Sequence, residues 1–432
     1  MGYSIHMETK DKFVLAPLAG YTDKAMREIS LCMGADIAVT EMVSAEGLAR
    51  DSEKTKELLE RARGEERLVV QLFGPDKDPF SRCIPNLLKY NPTWIDVNCG
   101  CPVPKVVKTG AGSALMKDKK KIREIVQTLV SETKLPVSVK FRLGWDADSI
   151  NYLEFAEEAL KGGAFALTLH ARTRSQGYEG KADRNAFLNL SKEFGKDAVL
   201  YASGDIYTPI DAKECIEKYG MDGVMFARGA IGNPFIFKET KSFFEKGQYT
   251  APTVSERVQT AIIHYRKMKE YYGEDIAGRE MRKHAMAYIK GIHGASKCKK
   301  ALTGAFTEED YIEAFSLLEG ISEYRQRKER ARCAPLFLVF EHNEIKNENK
   351  KKEHGNEYQA NKKRRLQHSP HEVFVLLGRE LRNITLLCVP LLWRTIPRHP
   401  LHIHICKASA VVFFNVPFFF PFSMHYFFFP FF

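Results

Sequence analysis

The chain has 432 residues, with 44% hydrophobic residues and a formal charge of +11, enough for one large domain and a smaller one around a sizeable core. Its nine cysteines follow no paired spacing, and its opening "MGYSIHMETKDK" has no charged segment leading into an apolar run. Both features set the expectation of a reducing, cytoplasmic location. No stretch before residue 410 supplies the ~20 uninterrupted apolar residues of a membrane span, so no membrane partner is expected.

The charge has to be divided before it is read. Residues 341–432 hold 13 Lys+Arg against 7 Asp+Glu, a net of +6, which leaves +5 for the first 340 residues. A mildly basic body is compatible with RNA binding without demonstrating it.

From Phe13 to Phe237, short apolar runs alternate with amphipathic segments of helical period. The runs are "FVLAPLA", "DIAVTEM", "RLVVQLFG", "WIDVNCG", "PVSVKFRLG", "FALTLHART", "AVLYASGD" and "GVMFARGA". Most lack strict alternation, as parallel strands buried on both faces do. Helices are predicted between them, for example over Thr22–Met33 and Lys120–Thr133. Eight strand–helix units in about 225 residues match a (β/α)8 TIM barrel, and their regularity favours closure over a doubly wound open sheet.

After "GNPFIF" the period changes. "SERVQTAIIHYRKMKEYYG", "GREMRKHAMAYIKGIHG" and Glu308–Arg332 read as amphipathic helices. The expected domains are therefore a catalytic barrel over 1–245, a helical domain over 246–335 and a tail over 336–432. Arg279, Arg282, Lys283, Lys290, Lys297, Lys299 and Lys300 offer the helical domain a basic surface, or simply a solvated face. In the tail, "KNENKKKEHGNEYQANKKRR" has the composition of a disordered segment, and "VVFFNVPFFFPFSMHYFFFPFF" is broken by prolines. That composition resembles translation outside the natural frame or a fused fragment, and no function is assigned to it.

Polar or reactive residues gather just after the strands: Gln71, Asn98, Cys101, Lys140, Arg142, His170, Arg172, Asp205 and Arg228. That is the rim where barrel enzymes keep their chemistry. "ASGD" (Ala202–Asp205) and "ARGAIGNP" (Ala227–Pro234) close the last two runs, where barrels commonly bind phosphate with backbone N–H groups. Gly204 and Gly229 permit close approach, although glycines alone can serve tight turns. Lys140 and Arg142 share one side of a strand, as do His170 and Arg172, and paired cations at a barrel mouth call for an anion or an electron-rich ring. Cys99 and Cys101 stand one residue apart, without a second Cys or His pair at zinc spacing, so no metal is expected. A buried inert thiol is the default for either; Cys101, beside Pro102 and a loop with Lys105 and Lys108, also suits a nucleophile or a general acid.

Together "APLAGYTD" (Ala16–Asp23), "NCGCPVPKVVKTGAGSAL", "VKFRLGW", "LHARTRSQGYEGKAD" and "ASGDI…DGVMFARGAIGNPFIF" resemble the tRNA-dihydrouridine synthase family, in order and at family spacing. The bacterial B-type subgroup is the nearest in pattern, over about residues 10–330, and the tail has no counterpart. The resemblance implies an FMN enzyme that uses NADPH (or NADH) to reduce the C5–C6 double bond of particular tRNA uridines. It places Pro17, Leu18 and Ala19 against the flavin, and Gln71 and Lys140 at its ring. It places Ser203, Gly204, Asp205, Ala227 and Arg228 at the phosphate end, with His170 beside the cofactor. Cys101 matches the acid that protonates C5, and Asn98, Arg142 and Arg172 fall on the substrate side. Cys99 is assigned to packing. Ser203 stands where the family usually has Asn, and Ala227 where Gly often precedes the arginine. Ser keeps a hydroxyl but loses the amide's paired donor and acceptor. The implied partner is tRNA, bound by a monomer. The competing readings are an FMN barrel acting on a free pyrimidine and a tRNA-binding protein without catalysis.

Overall fold

Nine short strands, all parallel, form one sheet in the computed structural model, which describes residues 11–318 and, beyond them, strand residues 403–405 and 412–414. They are β1 (Phe13–Leu15), β2 (Ile37–Ala38), β3 (Val43–Ser44), β4 (Val69–Phe73), β5 (Trp94–Cys99), β6 (Val137–Arg142), β7 (Ala166–His170), β8 (Val199–Ser203) and β9 (Gly223–Phe226). Their order is β2-β1-β9-β8-β7-β6-β5-β4-β3. A bridge from Val39 to Val69, with the Thr40 N–H donating to the Val69 carbonyl at 3.0 Å, joins the two ends, so the sheet closes as a TIM barrel.

Eight strands were expected, and the difference lies in the second run. "DIAVTEM" (Asp36–Met42) keeps only β2, and β3 follows just past it, because side chains take over backbone hydrogen bonds between the two. The Thr40 hydroxyl accepts from the Gln71 N–H at 3.2 Å and donates to the Glu41 carbonyl at 2.9 Å. The Glu41 carboxylate in turn accepts from the Gly20 N–H at 2.6 Å.

Alternation along each strand sorts side chains between two layers. Phe13, Leu15, Ile95, Val97, Cys99, Val137, Val139, Phe141, Leu167 and Leu169 belong to the large core under the helices. Val14, Ala16, Val69, Trp94, Ala166, Tyr201 and Met225 form a second, smaller cluster that plugs the barrel. Asp96 and Asn98 follow Trp94 on the inner face, as Ser138, Lys140 and Arg142 do on β6. The inside is thus apolar at the N-terminal end and polar at the C-terminal end.

The helices Val254–Tyr272, Glu274–Tyr288, Ser296–Gly304 and Glu308–Phe315 follow the barrel. The first and last open with capping boxes, Thr253 with Glu256 and Thr307 with Asp310, which satisfy the N-terminal N–H groups. Their own core includes Ala261, Tyr265, Met281, Ala285 and Tyr288, and it takes in Ala25 from the barrel helix Lys24–Cys32. Lys267 is ion-paired with Glu28 across that seam, and the Tyr271 hydroxyl donates to Glu28 at 2.7 Å. Residues up to Cys333 form one compact unit. None of the described helices is long and apolar enough to cross a membrane.

The second unit, Ala334–Phe432, contains an antiparallel pair of strands, Ile403–Ile405 with Val412–Phe414. The rest of the expected tail, and the predicted helix past Leu318, lie outside the described residues.

Candidate active site

A cavity of about 460 Å³ opens at the C-terminal ends of the strands, a size suited to one cofactor and a small group beside it. Pro17, Leu18, Ala19, Gln71, Asn98, Cys101, Lys140, Arg142, His170, Ser203, Gly204, Asp205, Ala227 and Arg228 all line it. Ala16, Pro17, Leu18, Ala19, Met42 and Met225 make an apolar side.

Arg172 corrects the expectation. It lies beneath the cavity, buried, where it donates to the carbonyls of Glu179 (3.1 Å) and Gly180 (2.8 Å) and pairs with Asp205 at 2.5 Å. Its guanidinium shapes the 179–180 loop and holds Asp205, and it does not line the cavity.

The polar floor comes from three neighbouring strands in register, Gln71 opposite Asp96, Asp96 opposite Ser138, and Asn98 opposite Lys140. Asp96 accepts from the Ser138 hydroxyl at 2.5 Å and from the Gln71 amide at 2.7 Å. Full burial pushes its carboxyl up to about 6, against those two hydrogen bonds and the charge of Lys140. Burial lowers Lys140 to about 8, with Arg142 adding to the fall and Asp96 opposing it. The Lys140 side chain keeps some access through the cavity, and its ammonium has no hydrogen-bond partner among the described residues. Arg142 is held to the Gly100 carbonyl at 2.7 Å and the Thr173 carbonyl at 2.9 Å.

The two thiols separate as strand geometry dictates. Cys99 ends β5 on the outer face, fully buried in the helix-side core. Cys101, beyond the strand, lines the cavity half-buried. Asn98 Oδ1 accepts from the N–H of Gly100 (3.3 Å) and of Cys101 (3.0 Å), and so holds the turn. Burial pushes the Cys101 thiol up, against a hydrogen bond from the Val103 backbone and the charge of Arg142. It is therefore protonated at neutral pH.

At the far side, Gly204 (φ +108°) and Asp205 (φ +51°) turn the chain through left-handed conformations. The backbone N–H groups of Gly204, Asp205, Arg228 and Gly229 have no acceptor among the described residues. The Asp205 carboxylate points inward, to Arg172, to the Ala182 N–H at 2.9 Å and to Arg228 at 3.0 Å. Burial works against its charge, but those partners hold its carboxyl below the usual range. His170 Nε2 is buried and unpartnered, and burial together with Lys140 and Arg142 keeps the imidazole neutral.

Three aromatic residues at the mouth escaped the sequence reading. Tyr178 lies over Arg228 at 4.6 Å and Arg142 at 5.9 Å, Tyr207 lies over Arg228 at 5.7 Å, and Tyr21 carries Lys283 at 5.3 Å. The signal was present, because Tyr178 and Tyr21 sit inside two of the quoted motifs. Away from the cavity, Asp23, His264 and His284 bring possible metal-ligand atoms within 4.8 Å of one another. Arg27 and Lys283 already act on Asp23 there, a positive field that opposes a cation.

Residues 14–322 match the family described as "Dihydrouridine synthase (Dus)". The chain is 36% identical over 306 residues to a probable tRNA-dihydrouridine synthase of Treponema pallidum, covering 68% of this chain and 90% of that protein. It is 32% identical over 289 residues to tRNA-dihydrouridine synthase B of Pseudomonas aeruginosa, covering 66% and 86%. It is 33% identical over 314 residues to that of Vibrio parahaemolyticus, covering 72% and 96%. With the family's match running through every cavity-lining strand end, this chain belongs to the dihydrouridine synthase family.

Proposed function

We propose that this protein reduces the C5–C6 double bond of uridines in tRNA, with FMN as cofactor, NADPH or NADH as reductant, and Cys101 as the acid that protonates C5. The observation that carries this reading is one cavity holding a protonated thiol, an unpartnered ammonium and four backbone N–H groups without acceptors.

The residues fit FMN. The N–H groups at Gly204, Asp205, Arg228 and Gly229 suit its phosphate. The apolar side from Ala16 to Ala19 suits its ring, and His170 Nε2 lacks a partner beside it. When bound, FMN supplies the hydride for C6, replenished by the nicotinamide. The Cys101 S–H then gives its proton to C5 from a position that Asn98 fixes. Lys140, in a poorly hydrated pocket, stabilises negative charge as it develops.

The helical part offers the RNA backbone the exposed side chains Arg279, Lys290, Lys297, Lys299 and Lys300. Arg282 and Lys283, expected in the same surface, are engaged, with the Ala305 carbonyl at 3.0 Å and with Glu280 and Tyr21. Backbone contacts of this kind offset the few kcal/mol, roughly, of drawing a uridine out of its stack.

Mass spectrometry of tRNA nucleosides from a deletion strain, with and without the gene restored, tests the proposal. Dihydrouridine lost at particular sites and regained on complementation supports it, and unchanged content at every site overturns it. Turnover of free uracil, with none on transcribed tRNA, would give the cavity to a free pyrimidine instead.

Gly204→Ala tests the cradle. An added Cβ would stand 2.8 Å from His170 Cδ2, at a φ of +108° that side chains resist. Flavin affinity is expected to fall roughly tenfold, read as the flavin-to-protein ratio after titration. A second check uses pH. Lys140 is lowered to about 8, so its charge is present below that pH and lost above it. FMN affinity and turnover are expected to decline together as pH rises through about 8, and Lys140→Met should remove that limb from the binding curve.

A further inference from the structure

We propose that Asp96 is a positioning residue, which sets the direction of an amide chain, Gln71 then Asn98, that holds Cys101 in place. The proposal rests on the reading of Cys101 as the proton donor, and it concerns a carboxylate that lies below the cavity lining and touches neither cofactor nor substrate there.

The chain of contacts is continuous. Ser138 Oγ donates to one Asp96 oxygen at 2.5 Å, and Gln71 Nε2 donates to the other at 2.7 Å. Gln71 Oε1 accepts from Asn98 Nδ2 at 2.8 Å. Asn98 Oδ1 accepts from the Cys101 N–H at 3.0 Å. All four side chains are buried. They face one another because their strands are paired in register, Gln71 with Asp96 and Asp96 with Ser138.

The direction follows from hydrogen-bond chemistry. A primary amide donates at one end and accepts at the other, and either end can point either way. An ionised carboxylate only accepts. Gln71 must therefore turn its NH2 to Asp96 and its oxygen to Asn98. Asn98 must then turn its NH2 to Gln71, which leaves its oxygen for the two N–H groups of the Gly100–Cys101 turn. Reversing any member would set donor against donor in a buried space, where an unpaired polar group is costly. The carboxylate at one end and the two turn N–H groups at the other thus call for the same direction, and the two amides couple the anchor to the turn carrying the thiol.

Substitutions separate this role from simple packing. Asp96→Leu removes the anchor, so Gln71 Nε2 loses its acceptor and the chain is no longer held at that end. Asp96→Asn retains the direction, because its NH2 can donate to the Ser138 hydroxyl while its oxygen still accepts from Gln71. Ser138→Ala also retains it, because the carboxylate remains. Asp96→Asn with Ser138→Ala leaves the new amide to meet Gln71 with either its oxygen or its NH2, so this end no longer fixes the direction.

The experiment is alkylation of Cys101 by iodoacetamide in the flavin-loaded protein, followed at that residue by peptide mass spectrometry, alongside kcat and flavin content. Asp96→Leu is expected to raise the Cys101 alkylation rate by roughly fivefold, the worth of one lost hydrogen bond. It should also lower kcat by roughly 10- to 100-fold, as expected for a displaced reacting group. Each single conservative variant should alkylate at the wild-type rate, while the Asp96→Asn/Ser138→Ala pair should behave as Asp96→Leu does. Should Asp96→Leu not fold, the pair and its two parents carry the test alone.

Wild-type alkylation in the folded pair, or equal acceleration in Asp96→Asn by itself, overturns the proposal. The underlying reading fails separately, through unchanged dihydrouridine formation in Cys101→Ala, and that result leaves the alkylation pattern intact.

Discussion

Cys101→Ala is expected to slow dihydrouridine formation by ~10²- to 10⁴-fold while leaving flavin content and thermal stability near wild type. The thiol is the only sulfhydryl lining the cavity among the described residues, and burial keeps it protonated where an acid is required. Its removal takes away a proton that no neighbour replaces readily. The arginines are weaker acids, His170 is held neutral, and the Tyr178 ring is occupied with Arg228 and Arg142, which leaves Lys140, lowered to about 8, as the neighbour that sets the residual rate. Cys101→Ser should recover little, because an aliphatic hydroxyl is a far weaker acid than a thiol. Cys99→Ala is the matched control. Its sulfur packs among the helix-side residues, so the rate per folded molecule should not change. Single-turnover kinetics with pre-reduced enzyme and transcribed tRNA read the step directly. A Cys101→Ala rate within ~threefold of wild type would exclude the thiol as the acid.

Lys267→Met is expected to cost ~3–5 kcal/mol of stability, the typical effect of leaving a buried partner charge uncompensated. Lys267 and Glu28 are 9% and 5% exposed in their side chains, and they join the helix Val254–Tyr272 to the barrel helix Lys24–Cys32. Without the ammonium, Glu28 keeps only the Tyr271 hydroxyl at 2.7 Å among its described partners. Restoring neutrality should restore stability, so Glu28→Gln/Lys267→Met is expected to regain most of the loss. Denaturant titrations of the four proteins measure the coupling. A single-mutant loss below ~1 kcal/mol would mean that solvent reaches the pair after all. The seam also bears on the proposed function, in which the basic side chains of the helical part would guide RNA to the cavity only while that part stays docked.

Much of this was readable in advance where the signal is local. Apolar runs ending in polar residues marked the strands, since a strand buried on both faces needs few polar side chains until its mouth. The Cys-Pro step, the paired cations of "VKFR" and the glycine turns of "SGD" and "ARGA" each marked residues that the fold brings to the cavity. The period-two rule puts Cys99 and Cys101 on one face, and it is the end of the strand at Cys99 that turns Cys101 to the cavity.

Other features depend on neighbours distant in sequence. The break in the second strand arises because Thr40 meets Gln71, 31 residues later, and offers it a hydroxyl. Arg172 looked like a substrate ligand, yet it is committed to Asp205, 33 residues away, and to the loop it supports. Arg282 and Lys283 counted as free charges until packing gave them partners.

Residue types and their spacing along the strands determined the barrel and its rim, because burial and alternation act over a few residues. Only the closed fold decided which polar groups face the cavity and which serve one another. Those choices are made by hydrogen bonds between strands, and strand order does not appear in a linear chain.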